Sequence, residues 1–238
     1  WGKEVQKVPV EIKKELFYRA LVPLILYANE LILKERQELV TISEILRKGK
    51  RLNAKELSIL QSIGQKYGLQ EVDDPKERVV QLLERVDVIP PSLALGQTAY
   101  ESGYGTSRFA VEGNALFGQW TFSGKGMKPE QQRKDKGNYG VAAYKWPFDS
   151  VKSYMFNLNT HPAYQGLRDK RGALRKQGKK PTGLALSETL TSYSEMGAEY
   201  IKTLKSIITV NGLEIADNAY LRDEPMTLIV GVDSVSKV

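Results

Sequence analysis

The chain has 238 residues, with 35 basic and 28 acidic side chains, a formal charge of +7. That length fits one or two domains, and 41% hydrophobic with 26% charged residues is the balance of a folded globular chain rather than a disordered one. There is no cysteine and a single histidine, His161, which excludes a disulfide scaffold, thiolate metal sites and a cysteine nucleophile, and leaves little for a His-based metal site or a Ser-His-Asp triad. The positive charge favours a polyanionic partner without choosing one.

The first ninety residues read as helical. Apolar residues recur at helical spacing from Glu11 to Leu33 and again from Glu35 to Lys48, before Gly49. The most apolar stretch, 20–33, carries Pro23, Asn29 and Glu30 and is expected to be too short for a transmembrane segment. The residues after Trp1 do not have the pattern of a signal peptide. Asn53-Ala-Lys-Glu56 has the form of a capping box, and Asp74-Pro75 that of a helix start. Pro90-Pro91 marks a boundary.

After that boundary Ser92 to Glu101 reads as a helix ending in Ser102-Gly-Tyr-Gly105. Glycines punctuate residues 113–146, with a short strand expected within Tyr139–Tyr144. Helical patterning resumes at Asp149, and further helices are expected over Leu184–Met196 and Ala198–Val210. Lys170–Lys180 reads as a basic loop, Thr227–Val232 as a strand, and Trp146 and Phe148 as core.

Glu101 carries the chemical interest. It sits at the last turn of its helix, where the partial negative charge of the helix end disfavours a carboxylate. A carboxylic acid kept protonated near neutral pH is what a glycosidase needs to protonate a leaving oxygen. The plainer alternative is a Glu satisfied by the turn that follows it.

The run Ala94-x-x-Gln97-x-Ala99-x-Glu101-Ser-Gly-x-Gly105, followed by Asn114-x-Leu116-Phe117-Gly118, resembles the glucosaminidase domain of glycoside hydrolase family seventy-three. Ser107 through Trp120 is closer still to the Bax-type branch, and the likeness extends over roughly residues 88–210. The resemblance implies a mainly α, lysozyme-like helical domain with a small β-hairpin or loop lobe, preceded by a helical extension. The implied division is 1–87 for the extension, 88–212 for the glucosaminidase domain and 213–238 for a tail. It further implies hydrolysis of the β-1,4 bond after N-acetylglucosamine in peptidoglycan, with Glu101 as the catalytic acid.

A second carboxylate is expected in the hairpin lobe, with Glu130 as the candidate and Asp135 as the alternative. The substrate's own N-acetyl group could instead be the nucleophile. Tyr193 matches the family tyrosine near the catalytic acid. Tyr104, Asn114, Phe117, Gln119, Trp120 and Tyr144 are the expected groove residues, offering aromatic faces and amides to sugars. No cofactor and no metal are implied, and no nucleic-acid partner; the partner is the peptidoglycan glycan strand, which places the protein in the cell envelope, in the periplasm. Two other functions compete: a lytic transglycosylase of similar fold, and a non-catalytic wall-binding scaffold.

Overall fold

The computed structural model describes residues 7–130, 137, 139–191, 193–194 and 196–224. Asp135 and the expected strand Thr227–Val232 lie outside them. The fold is mainly α, with one small two-stranded lobe, as the resemblance implies.

The helix α1 (Val10–Arg47) joins the two expected helices into one. Nothing between Leu33 and Glu35 stops a helix: Lys34 is a good helix former, and neither a cap nor a glycine intervenes. By length and composition this helix could cross a membrane, which the shorter stretch read from the sequence could not. Here one of its faces is core: Phe17, Leu21, Ile25, Ile32, Leu39 and Ile42 are buried. Asn29 ties that face down, donating to the Ile89 carbonyl at 2.8 Å and accepting from the Ile89 amide at 3.0 Å.

The short helices α2 (Ala54–Lys66) and α3 (Pro75–Arg85) start where their caps predict. Asn53 and Glu56 form the reciprocal capping box, and Asp74 accepts from the amides of Lys76 and Glu77. The far end of α3 is received by arginines from other helices. Arg36 donates to the Leu83 and Val86 carbonyls, and Arg171 to those of Glu84, Arg85, Asp87 and Val88. Asp87, 2% exposed, balances part of this charge through a two-pronged pair with Arg175 at 2.5 and 2.6 Å. Burial pulls the Arg171 guanidinium down to about 10, with Asp87 opposing the shift.

Helix α4 (Pro91–Ser102) is the centre of the molecule; every residue from Pro91 to Ala99 is buried. Its first turn is capped from far along the chain. Asp217, in the 3-10 turn Leu213–Asn218, accepts from the Ser92 amide and hydroxyl and from the Gly183 amide. A carboxylate there also faces the positive end of the helix. Gly96 lets α9 (Ala198–Val210) approach: a Cβ at that position would lie 2.8 Å from Ile208 and 2.9 Å from Leu204.

The lobe comprises α5 (Arg108–Gly113) and two antiparallel strands, β1 (Trp120–Thr121) and β2 (Gly140–Val141), with Trp120 opposite Val141. Helix α6 (Pro147–Thr160) returns to the core. Trp146, expected in the core, is 54% exposed, while Phe148 packs against Tyr27 of α1.

The expected basic loop is mostly helix, α7 (Gln165–Lys176). Its Arg168 and Arg171 are buried and spend their donors on carbonyls and on Asn159. The expected helix 184–196 shrinks to α8 (Gly183–Ser187). The Ser187 and Thr189 hydroxyls donate to the Leu184 and Leu186 carbonyls, offering the backbone a turn in place of helix. One continuous apolar core runs from Phe17 to Ala216, across Pro90-Pro91.

Candidate active site

Glu101 lies in the last turn of α4, and the chain beyond it turns sharply. Gly103, Tyr104 and Gly105 have φ of 56°, 57° and 75°. The Ser102 hydroxyl holds this turn, donating to the Thr98 carbonyl and accepting from the Gly105 amide. A left-handed tyrosine is strained, and Tyr104 is secured by α1. Its ring meets Phe17 and Tyr18 edge-on at 5.7 and 6.0 Å, with the Lys14 ammonium 5.2 Å from its centre. Tyr104, expected in the groove, therefore joins the acid's turn to the N-terminal helix.

Burial pushes the Glu101 carboxyl up to about 7, and a hydrogen bond from Tyr200 partly offsets the rise. The main physical cause is thus desolvation. A cluster of tyrosines surrounds the acid. Tyr154, Tyr164, Tyr193 and Tyr200 all feel its charge, and burial raises each phenol above its ordinary value.

The segment after Asn114 passes the acid closely: a Cβ on Gly118 would be 3.6 Å from Glu101 Oε2. Gly118 has φ of 59°, so a side chain there would be both strained and directed toward the acid. Two residues further on, Trp120 is 48% exposed and stacks on Tyr139, with ring centres 4.3 Å apart. About half of Trp120 is thus open to solvent, two residues after the glycine that passes Glu101.

Other expected groove residues do framework work. Phe117 is buried and stacks flat on Tyr154 at 3.8 Å. Asn114, with φ of 49°, closes α5 and donates to the Tyr144 and Lys145 carbonyls. Gln119 accepts from the Tyr144 hydroxyl at 3.0 Å and donates to the Ser153 carbonyl, fastening the lobe to α6. Among the described residues the lobe has two short strands, and these amides and rings supply it with further ties.

Tyr193 stands beside the acid's cluster, stacked on Tyr200 at 5.6 Å. Its hydroxyl donates to the Phe117 carbonyl at 3.3 Å, leaving the oxygen lone pairs as acceptors. Glu130 stands apart from this arrangement: its side chain is 87% exposed and 3.9 Å from Arg108 Nε. Gln97, Tyr154, Tyr164 and Tyr200 are site residues to which the sequence did not assign a role. Gln97 is one helical turn before Glu101, the spacing that puts two side chains on one helix face. Tyr200, by contrast, comes from a helix 103 residues away from Gln97.

Two cavities, of about 420 and 300 Å³, lie along α1. Neither is lined by Glu101; the smaller one shares Ser153 with the tie between lobe and α6.

Comparison with known proteins bears on this geometry. The Glucosaminidase family, described as mannosyl-glycoprotein endo-beta-N-acetylglucosaminidase, matches residues 76–213. A curated relative, "Protein bax" of Escherichia coli (strain K12), is 34% identical over 189 residues. That likeness covers 79% of this chain and 66% of the relative, just under two thirds of its length. No solved structure gives a significant match.

Proposed function

Since the chain belongs to the glucosaminidase family, a family of glycoside hydrolases, we propose that it cleaves the β-1,4 bond after N-acetylglucosamine in peptidoglycan, with Glu101 as general acid. The observation that carries this reading is the Glu101 carboxyl, lifted to about 7 by burial at the point where the lobe passes. At that pKa the group is substantially protonated near neutrality and can then act as the conjugate base.

Glu101 gives its proton to the glycosidic oxygen as the bond to C1 breaks. Positive charge develops at C1. Because Glu130 is exposed and faces Arg108, the substrate's own acetamide oxygen is the nucleophile best suited to meet that charge. It bonds to C1 and forms a bicyclic oxazolinium. Ionised Glu101 then takes a proton from water, whose oxygen opens that ring. Tyr193 accepts the acetamide N–H and holds its oxygen toward C1. Trp120 supports the apolar face of a sugar ring. The domain division implied by the sequence belongs to the same proposal: residues 88–212 hold the catalytic domain, 1–87 the extension that supports it and 213–238 the tail. A glycan in the cell envelope is the setting for this chemistry.

A dependence on one protein carboxyl also fits a lytic transglycosylase, and the products separate the two. Mass spectrometry of purified peptidoglycan after digestion should show new reducing N-acetylglucosamine ends. Anhydro-muramoyl ends would assign the transglycosylase reaction instead. No cleavage by wild-type protein would favour a wall-binding scaffold.

A further inference from the structure

Between α4, α6 and α9 the core contains polar side chains that an apolar interior would ordinarily exclude. Gln97, Tyr154 and Tyr200 are each 0% exposed. The Tyr154 hydroxyl donates to Gln97 Oε1 at 2.5 Å, and Gln97 Nε2 donates to the Tyr200 oxygen at 2.9 Å. Tyr200 in turn hydrogen-bonds Glu101. A buried network of this kind is tolerated when its members satisfy one another.

The direction of the run follows from its protons. Each phenol has one. The Tyr154 proton is directed at an amide oxygen, so the amide must present its nitrogen to Tyr200. The Tyr200 oxygen accepts from that nitrogen, which leaves its own proton for Glu101. Turning the amide over would set Nε2–H against Tyr154 and remove the acceptor that the Tyr154 proton now has.

We propose that Gln97 is a positioning residue, fixing the Tyr200 hydroxyl as a donor to one oxygen of Glu101 and so placing the acid's proton on the other oxygen. That second oxygen is then the one that meets the leaving group. The inference rests on Glu101 being the general acid, as proposed above. It assigns Tyr154 a place in the same line: its proton sets which way the Gln97 amide faces.

The test uses Gln97→Met and Tyr154→Phe in the full chain. The first removes both amide bonds at similar volume; the second removes only the proton that orients the amide. In either variant Tyr200 is free to turn and accept from protonated Glu101, which favours the neutral acid. NMR titration of ¹³C-labelled glutamate carboxyls, assigned with Glu101→Gln, should place the Glu101 midpoint about one pH unit higher in Gln97→Met, the scale of one lost hydrogen bond to a charged group. Tyr154→Phe should move it the same way by less. The alkaline limb of kcat/KM on peptidoglycan should follow both shifts. A side chain that merely supports the fold would lower the folded fraction without moving either midpoint. If Gln97→Met does not fold, Tyr154→Phe decides. Folded variants with unshifted Glu101 midpoints would overturn the inference. Inactive wild-type protein would count against the proposed function, while the NMR midpoints would still decide the relay.

Discussion

Replacing Glu101 by Gln should stabilise the protein at alkaline pH and leave its stability almost unchanged in acid. Gln resembles the protonated acid in shape and cannot ionise. In the folded protein the carboxyl is raised from 4.5 to about 7, so the neutral form is favoured by folding. That contribution is fully present below about pH 4.5 and is lost as pH rises toward about 7. At about 1.4 kcal/mol per pKa unit, the full displacement corresponds to roughly 3 kcal/mol. Glu101 is partly exposed, and solvent screening reduces the figure to about 2 kcal/mol. Urea unfolding of wild type and Glu101→Gln at several pH values between about 4 and 8 measures the difference. The two curves should coincide near pH 4, separate through the window and run parallel above it. A gap independent of pH, or a less stable variant at pH 8, would refute the assignment of a raised, burial-driven pKa.

Other consequences follow from the frame around the acid. Asp217→Ala removes the acceptor for the Ser92 and Gly183 amides, and thermal unfolding should show a loss of about 2–4 kcal/mol. Gly183→Ala would set a Cβ 2.1 Å from Ser92 Oγ and 2.6 Å from the Leu93 nitrogen; it should destabilise by more than about 2 kcal/mol in urea titration, since backbone cannot yield cheaply. Trp120→Ala should weaken glycan binding about tenfold or more by calorimetry, with a melting temperature within a few degrees of wild type, because the ring is 48% exposed.

Local signals were the legible ones. Asn53 and Asp74 announce their helices because a cap is a contact between residues two or three apart, written directly in the chain. Glu101 was legible through its spacing to Gln97 and to the glycines that follow. The length of α1 is not legible in local signals, because a helix continues wherever nothing stops it, and Lys34 stops nothing. The helical state of α7 was hidden by its charges: Arg168 and Arg171 look like surface residues until the Leu158 and His161 carbonyls receive the first, and α3 and Asn159 the second. The same limit applies to the site. Asn114, Gln119 and Tyr144 have the chemistry of sugar binders, and only the fold shows that their polar atoms meet backbone and Ser153. Tyr200 was invisible because its partner, Gln97, lies 103 residues away, and no periodicity encodes such a pairing.

The central claim is that Glu101 supplies the proton that breaks the glycosidic bond. The most direct measurement is turnover of purified peptidoglycan against pH, for wild type and for Glu101→Gln prepared identically. The account predicts a wild-type profile whose alkaline limb falls near 7, the value to which burial lifts the carboxyl, and a variant slower by about 100-fold or more across the range. A folded Glu101→Gln that retains wild-type turnover would contradict it.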